Sequence, residues 1–267
     1  MSLVDADRPL LHVALGIAFV SGLLSVAALV RLDQLSHALP EQSRGSVLSE
    51  LPPTLNAAID ARIDEYLDRQ QQARIDARFE PYALAPERTR GADHVYGSEQ
   101  ARFTLIEYAD IECAFCRRYH EVPKILVDAG EGKVNWQWRH LPLDAHNPMA
   151  LIQAQATECV ALIAGNRAFW VYLEALFVET KGNGQGVTDL VGLAHSLGID
   201  REALAACVDN GDTYDRVMED IRQAQAFGFH STPVTLIIDN LYGRQQILQG
   251  LQSPEALVAA IRRLAHL

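Results

Sequence analysis

Residues 103–120 read FTLIEYADIECAFCRRYH, and this stretch decides the fold. Its first part, FTLIEYAD (Phe103–Asp110), is rich in β-branched and aromatic residues, which is typical of a strand. A helix is predicted to begin at Cys113 and to continue to about Ala129. The CAFC motif, which ends at Cys116, therefore lies where a strand gives way to a helix.

The position of the two cysteines favours redox chemistry. A cysteine at a helix N-terminus faces unpaired N–H groups and the positive end of the helix dipole, which stabilise a thiolate. Cys116, one turn further along, can attack a mixed disulfide at Cys113, so the pair can cycle between dithiol and disulfide. The alternative is a zinc site with His120 as third ligand. Structural zinc usually requires a second ligand pair, and Cys159 and Cys207 stand alone, so we expect neither a metal nor a cofactor.

The order of the remaining elements indicates an α/β fold. A second strand is predicted at residues 134–141 (VNWQWRHL) and a third at residues 233–239 (PVTLIID). Between them lies a mostly helical tract, residues 147–227, which a loop at residues 182–186 interrupts. A short strand, RQQIL, and a helix from Ser253 to Leu264 close the chain.

The N-terminal segment is predicted to be a membrane anchor. Residues 9–30 carry no charge, and at about 1.5 Å per residue a helix of this length spans roughly 30 Å, the thickness of a bilayer core. A cleaved signal peptide is the alternative. However, the preceding residues include Asp5 and Asp7 with only one arginine, and no A-x-A-like site follows closely. We therefore expect residues 1–32 to be retained.

A linker and an amphipathic helix are predicted over residues 33–92. Apolar side chains recur at spacings of three and four: Leu55, Ile59, Ile63, Tyr66 and Leu67. The helix is expected to end before Pro81. Its apolar face, within residues 55–78, either packs on the following domain or pairs with a second copy of the chain, giving a homodimer.

Composition limits the partners. The 267 residues include 23 Lys and Arg against 34 Asp and Glu, a formal net charge of -11, which argues against nucleic acid. A hydrophobic share of 49% excludes disorder throughout the chain. Four cysteines are too few for a disulfide scaffold, but they suffice for one reactive pair and one structural bridge.

From about residue 93 to residue 267 the chain resembles the DsbA-like branch of the thioredoxin superfamily. The segments that carry this resemblance are DHVYGSEQARFTLIEYADIECAFCRRYH, WRHLPLDAHNP, ECVALIAGNRAFWVYLEALF and FGFHSTPVTLIID. The resemblance implies an α/β, thioredoxin-like fold in two parts, residues 93–146 and 229–267. An α-helical subdomain would be inserted at residues 147–228. The transmembrane helix and the amphipathic helix, which the sequence pattern predicts, would precede this fold.

The same resemblance implies roles for five residues. Cys113 would be the attacking thiol and Cys116 the buried resolving thiol. Pro233 would follow a cis peptide bond against the pair, and Thr232 would present its backbone to substrate. Glu107, six residues before Cys113, matches a buried acid that relays a proton to or from Cys116. An exposed strand glutamate is the alternative at this position.

The chain departs from the family pattern at three positions that bear on the reduction potential of the cysteine pair. Ala114 replaces a frequent proline, Phe115 replaces the histidine of strong oxidants, and Ser231 replaces a frequent glycine. None of these changes removes a thiol. Thiol–disulfide exchange is therefore expected to be retained, whereas the sequence leaves the reduction potential of the pair open.

Together these features predict a thiol:disulfide oxidoreductase on a single-pass anchor in the inner (cytoplasmic) membrane, facing the periplasm or exterior. It would act mainly as an oxidase of cysteine-containing exported proteins, and the resemblance implies that a quinone-linked membrane partner would reoxidise it. The alternatives are a disulfide isomerase or reductase, and a tethered chaperone-like assembly factor without redox catalysis. In an oxidising compartment, Cys159 and Cys207 are expected to form a structural disulfide, and two buried free thiols are the alternative.

Overall fold

The structure is a computed structural model that describes residues 53–87 and 93–266. The predicted anchor, residues 1–32, and most of the predicted linker lie outside these residues. The chain falls into two units, Met1–Arg69 and Gln70–Leu267.

The predicted amphipathic helix is α1, Pro53–Phe79. Its residues up to Arg69 belong to the first unit and those from Gln70 onward to the second. In the first unit the large apolar side chains are exposed: Leu55, Ile59, Ile63, Tyr66 and Leu67. In the second unit Phe79 packs against the main hydrophobic core. The C-terminal end of α1 therefore packs on the domain that follows, whereas the side chains near its N-terminal end remain accessible.

A five-stranded mixed sheet forms the centre of the second unit. Its strands are β1 (His94–Gly97), β2 (Phe103–Ala109), β3 (Val134–His140), β4 (Val234–Asp239) and β5 (Arg244–Gln249). The order across the sheet is β1-β3-β2-β4-β5, with β2 and β3 parallel and every other pair antiparallel. Because β2 is the central strand, ladders on both sides fix its C-terminal end, which leads into the CAFC motif. The edge strand β1 was not among the predicted strands.

Two helices, rather than the single predicted helix over residues 113–129, follow β2. They are α2, Ala114–Tyr119, and α3, Glu121–Ala129. The break falls at His120 because Pro123 has no N–H to bond the carbonyl four residues earlier. The redox motif consequently lies on a short helix of its own.

The inserted subdomain is helical, as the resemblance implies. It contains α4 (Met149–Glu179), α5 (Leu190–His195), α6 (Arg201–Asn210) and α7 (Tyr214–Ala226), and α8 (Pro254–His266) ends the described chain. By length and composition α4 could span a membrane, but 61% of its apolar window is buried inside the protein, which identifies it as a core helix. A disulfide joins Cys159 on α4 to Cys207 on α6, with 6.0 Å between their Cα atoms.

Candidate active site

The CAFC motif lies at the N-terminus of α2. Cys113 is the N-cap residue and has extended backbone geometry, whereas Cys116 lies in the first turn of the helix. Both are free thiols. Cys113 is 6% exposed and Cys116 is fully buried, so only Cys113 reaches the surface, where a sulfur from another molecule can approach.

The segment before β4 brings Thr232 and Pro233 to the motif. The Thr232–Pro233 peptide bond is cis. The Cys113 sulfur lies 3.8 Å from the Thr232 carbonyl oxygen, to which the thiol can donate. A proline at this position costs the sheet no hydrogen bond, because β4 begins only at Val234. Residues separated by more than a hundred positions thus meet at one surface.

The two thiols of the motif have opposite pKa shifts. The pKa of Cys113 is lowered from an ordinary 9.0 to about 5, chiefly because the Cys116 thiol hydrogen-bonds to its sulfur. Backbone N–H groups of Phe115 and Cys116 at the start of the helix act in the same direction. Burial raises the pKa of Cys116 well above its ordinary value, and the nearby Cys113 adds to this. At neutral pH the pair therefore consists of a surface thiolate and a buried thiol.

Glu107 is a fully buried carboxyl group on β2, beneath the motif. Burial raises its pKa well above the ordinary range, and the Trp136 indole opposes this only in part. Within the described chain, neither of its carboxyl oxygens has a hydrogen-bond partner of ordinary geometry. Charge on Glu107 contributes to the raised pKa of Cys116, so the two groups are close enough to interact. The exposed alternative for Glu107 is thus wrong, and its burial favours the protonated form of the carboxyl group.

Asp110 shapes the loop that carries Cys113. One carboxylate oxygen accepts a hydrogen bond from the Glu112 backbone N–H at 2.8 Å. The other accepts from the Leu143 backbone N–H at 2.9 Å and lies 2.7 Å from Nδ1 of His146. This carboxylate thus ties the loop before α2 to the segment that follows β3.

Glu112, directly before Cys113, is a second buried anchor that sequence reasoning missed. Its carboxylate accepts hydrogen bonds from the Gln153 side chain at 2.6 Å, from the Gly186 backbone N–H at 2.9 Å and from the Thr180 hydroxyl. Burial would raise its pKa, but these hydrogen bonds outweigh burial and lower it. Glu112 is therefore an anion, and all three donors belong to the inserted subdomain or the loop after α4.

His120 takes part in the packing rather than in the cysteine pair. Its ring is 2% exposed and lies among aromatic rings, 5.0 Å from the Trp136 centroid and 4.6 Å from the Phe177 centroid. Its Nε2 lies 3.1 Å from a carboxylate oxygen of Glu174 on α4. No cluster of three or more His, Cys, Asp or Glu side chains in residues 53–87 and 93–266 is arranged to hold a metal ion.

Residues 89–263 match the family model described as Thioredoxin. The chain belongs to the thioredoxin family. Pseudomonas aeruginosa DsbA2 is 35% identical, with a TM-score of 0.59 over 66% of this chain and 97% of that structure. Oxidised BdbD from Bacillus subtilis, at 21% identity and a TM-score of 0.56 over 68% and 97%, supports the fold alone. Within the thioredoxin family the fold is therefore that of the DsbA-like thiol:disulfide oxidoreductases.

Curated relatives of this thioredoxin-family chain carry the name Na(+)/H(+) antiporter NhaA. The protein from Herminiimonas arsenicoxydans is 34% identical over 59% of this chain, and NhaA 1 from Salinispora arenicola is 28% identical over 92%. The chain spans only 24% and 37% of the length of these two relatives.

Proposed function

We propose that this chain is a protein thiol:disulfide oxidase that acts on cysteine-containing exported proteins. The observation that carries the proposal is the pairing of a surface Cys113 with a pKa of about 5 and a buried Cys116 with a raised pKa. A stable thiolate stabilises the reduced pair relative to its disulfide, so the oxidised pair passes its disulfide to other proteins.

In the oxidised chain, Cys113 and Cys116 share a disulfide, and a client thiolate attacks the Cys113 sulfur. The bond between Cys113 and Cys116 breaks, a mixed disulfide forms, and Cys116 leaves as a thiolate that takes the proton held by Glu107. A second client thiolate then attacks the client sulfur, and Cys113 leaves as its stable thiolate. The client loses two electrons and gains a disulfide, and the cysteine pair gains the two electrons.

Thr232 and Pro233 complete the proposed catalytic surface. The Thr232 carbonyl lies beside the sulfur that a client must approach, so an extended client segment can align its backbone there. An isomerase or reductase would use the same thiolate in the opposite direction, by attack on a client disulfide. A chaperone without redox catalysis would not require the two thiols to differ in pKa.

We expect the Cys113 thiolate, followed by its ultraviolet absorbance, to titrate with a midpoint near pH 5. In Cys116→Ala the midpoint should rise toward the ordinary thiol value, because the main hydrogen bond to the sulfur is lost.

Equilibration with glutathione should give a reduction potential for the cysteine pair that is higher than thioredoxin's roughly −270 mV. The oxidised protein should also oxidise a reduced two-cysteine peptide, and Cys113→Ser should not. A reduction potential at or below that of thioredoxin would instead favour the hypothesis that the chain is a reductase.

We further propose that residues 1–32 tether the chain to the inner membrane with the catalytic domain outside the cytoplasm. A quinone-linked membrane protein would there accept the two electrons and restore the disulfide. The exposed apolar face near the start of α1 would join two copies of the chain. The charge-free run at residues 9–30 supports the tether, and the exposure of Ile59 and Ile63 supports the dimer.

Both parts of this arrangement can be tested on the full-length chain. It should remain with membranes after an alkaline carbonate wash and should sediment as a dimer in detergent, with Ile59→Asp/Ile63→Asp shifting it to monomer. A soluble form that starts beyond residue 25 would restore the signal-peptide interpretation. A monomeric mass for the unaltered chain at all concentrations would exclude the dimer.

A further inference from the structure

A glycine-rich loop after α4 lies against the redox motif. This segment, TKGNGQG at residues 180–186, is here named the rim loop. The Asn183 backbone N–H donates to the Glu112 carbonyl oxygen at 2.9 Å, which places it one residue from Cys113. Arg117 of α2 donates to the Thr180 carbonyl oxygen. The rim loop thus contacts both the residue before the surface thiolate and the helix that begins there.

Glu112 holds both ends of the rim loop. Its carboxylate accepts from the Thr180 hydroxyl at one end and from the Gly186 N–H at the other, at 2.9 Å. The Lys181 N–H donates to the Gly186 carbonyl oxygen at 3.2 Å, which closes the loop on itself. A fully buried carboxylate that carries several hydrogen bonds is a rigid support, since each donor would be costly to leave unpaired.

The conformation of the rim loop presents polar side chains to solvent. Three successive residues have left-handed backbone geometry, Gly182 at φ 74°, Asn183 at φ 53° and Gly184 at φ 77°. Gly182 is buried, whereas Lys181, Asn183 and Gln185 are exposed. Two amide side chains and one ammonium group are therefore exposed on a loop whose backbone contacts the residue before Cys113.

The charge around the rim loop contrasts with that of the chain. Lys181 is the only charged residue within the loop, and Arg117 and Arg118 are exposed on the adjoining helix α2. Glu179, just before the loop, is the exposed acid nearest to it in sequence. The chain as a whole carries a formal charge of -11. The exposed charged side chains of the loop and of α2 are thus all cations, whereas the Glu112 carboxylate is buried beneath them and Glu179 lies just outside the loop. These exposed cations favour an approaching segment with acidic side chains.

We propose that the rim loop is a client-binding surface, which holds an extended, acidic client segment beside Cys113, and that Glu112 is the positioning residue that keeps it there. Asn183 and Gln185 can hydrogen-bond to the client backbone, and Lys181 pairs with an acidic client side chain. This inference rests on the proposed function, because it assigns the substrate class of the same thiol.

The first test reverses the charge of Lys181. Two reduced peptides of equal length, each with two cysteines and flanked by either Asp or Lys, serve as clients of the oxidised protein. The unaltered protein should have a lower KM for the Asp-flanked peptide than for the Lys-flanked peptide. Lys181→Glu should lower the ratio of kcat/KM for the Asp-flanked peptide to kcat/KM for the Lys-flanked peptide by about five- to tenfold at low salt, and by less at high salt. Lys133→Glu makes the same change at a side chain that is 74% exposed elsewhere, and should leave the ratio unaltered.

A second test displaces the loop without altering any charge. In Gly184→Ala the added methyl group would lie 3.1 Å from the His146 Cα, at a φ of +77° that alanine rarely adopts. We expect a higher KM for the acidic peptide, and a smaller effect on the rate at which the reduced protein attacks the uncharged reagent 2-hydroxyethyl disulfide. Gly243→Ala, at φ +68° in the turn between β4 and β5, meets nothing within 4 Å and serves as the matched control.

The outcomes separate the two proposals. If the reduced unaltered protein exchanges with 2-hydroxyethyl disulfide and its oxidised form oxidises both peptides equally, and Lys181→Glu changes nothing, the rim loop does not bind clients and only this inference fails. If the unaltered protein exchanges with no reagent and oxidises neither peptide, the oxidase proposal itself fails. An equal shift of the peptide ratio in Lys133→Glu and Lys181→Glu would also overturn the inference, since net charge alone would then explain it.

Discussion

Replacing Cys116 by serine is expected to trap client proteins in covalent complexes through Cys113. The Cys113 thiolate can still attack a client disulfide, forming a bond to one client sulfur while the other leaves as a thiolate. The serine hydroxyl can still donate to the Cys113 sulfur, so the thiolate that carries out the attack is maintained. No resolving thiol remains, and the mixed disulfide should therefore accumulate and disappear on reduction.

Cys113→Ser is the matched control for this experiment. Cys116 is fully buried and its pKa is raised, so few clients should become attached to it. Oxidase activity should be lost in both variants, while trapping differs almost completely between them. Non-reducing gels of each variant, expressed in its native compartment, would measure this difference. Equal trapping by the two variants, or trapping only through Cys116, would overturn the assignment of attacking and resolving thiols.

Cys159→Ser is expected to lower the free energy of unfolding by about 4 kcal/mol. This is the entropy, expressed as a free energy, that the bridge removes from the unfolded chain when it closes a loop with a sequence separation of 48 residues. The bridge joins α4 to α6 and is buried at both ends. It belongs to the inserted subdomain, apart from the CAFC motif, so thiol exchange at Cys113 should be preserved. Urea unfolding of the oxidised protein, compared with Cys159→Ser, would measure the loss.

Two further measurements test whether the loss of the bridge causes the destabilisation. Cys207→Ser should destabilise the protein to a similar degree, because either change opens the same bridge. Mass mapping of the oxidised protein should find Cys159 and Cys207 linked. Free thiols at both positions would refute the bridge, and loss of exchange at Cys113 in Cys159→Ser would indicate a redox role that the structure does not suggest.

The features that the sequence predicts well are local ones. The CAFC motif was recognisable because a β-rich run leads into a helix within a few residues, and the physics of a helix N-terminus requires no distant partner. The break at His120 was also accessible from sequence, through the missing N–H of Pro123, but the helical pattern on either side concealed it. Strand β1 has only four residues, too few for a periodic pattern to stand out.

The features that the sequence did not reveal depend on distant residues. The burial of Glu107 could not follow from alternation, because a central strand covered on both faces has no exposed side. Glu112 resembles a solvated acid next to a cysteine. Its partners Gln153, Thr180 and Gly186 follow 41, 68 and 74 residues later, so only the folded chain brings them together.

The anchoring of Glu112 also limits how the protein can be re-engineered. A chimera that kept β2 and the CAFC motif but took its inserted helices from another thioredoxin-like protein would bury this carboxylate without its three donors. Removing the partners of a buried charge typically costs about 3–5 kcal/mol, a large fraction of the stability of a domain. The redox motif and the helical subdomain therefore have to be transferred together. A chimera must contain Glu112 together with Gln153, Thr180 and Gly186, or must replace all four.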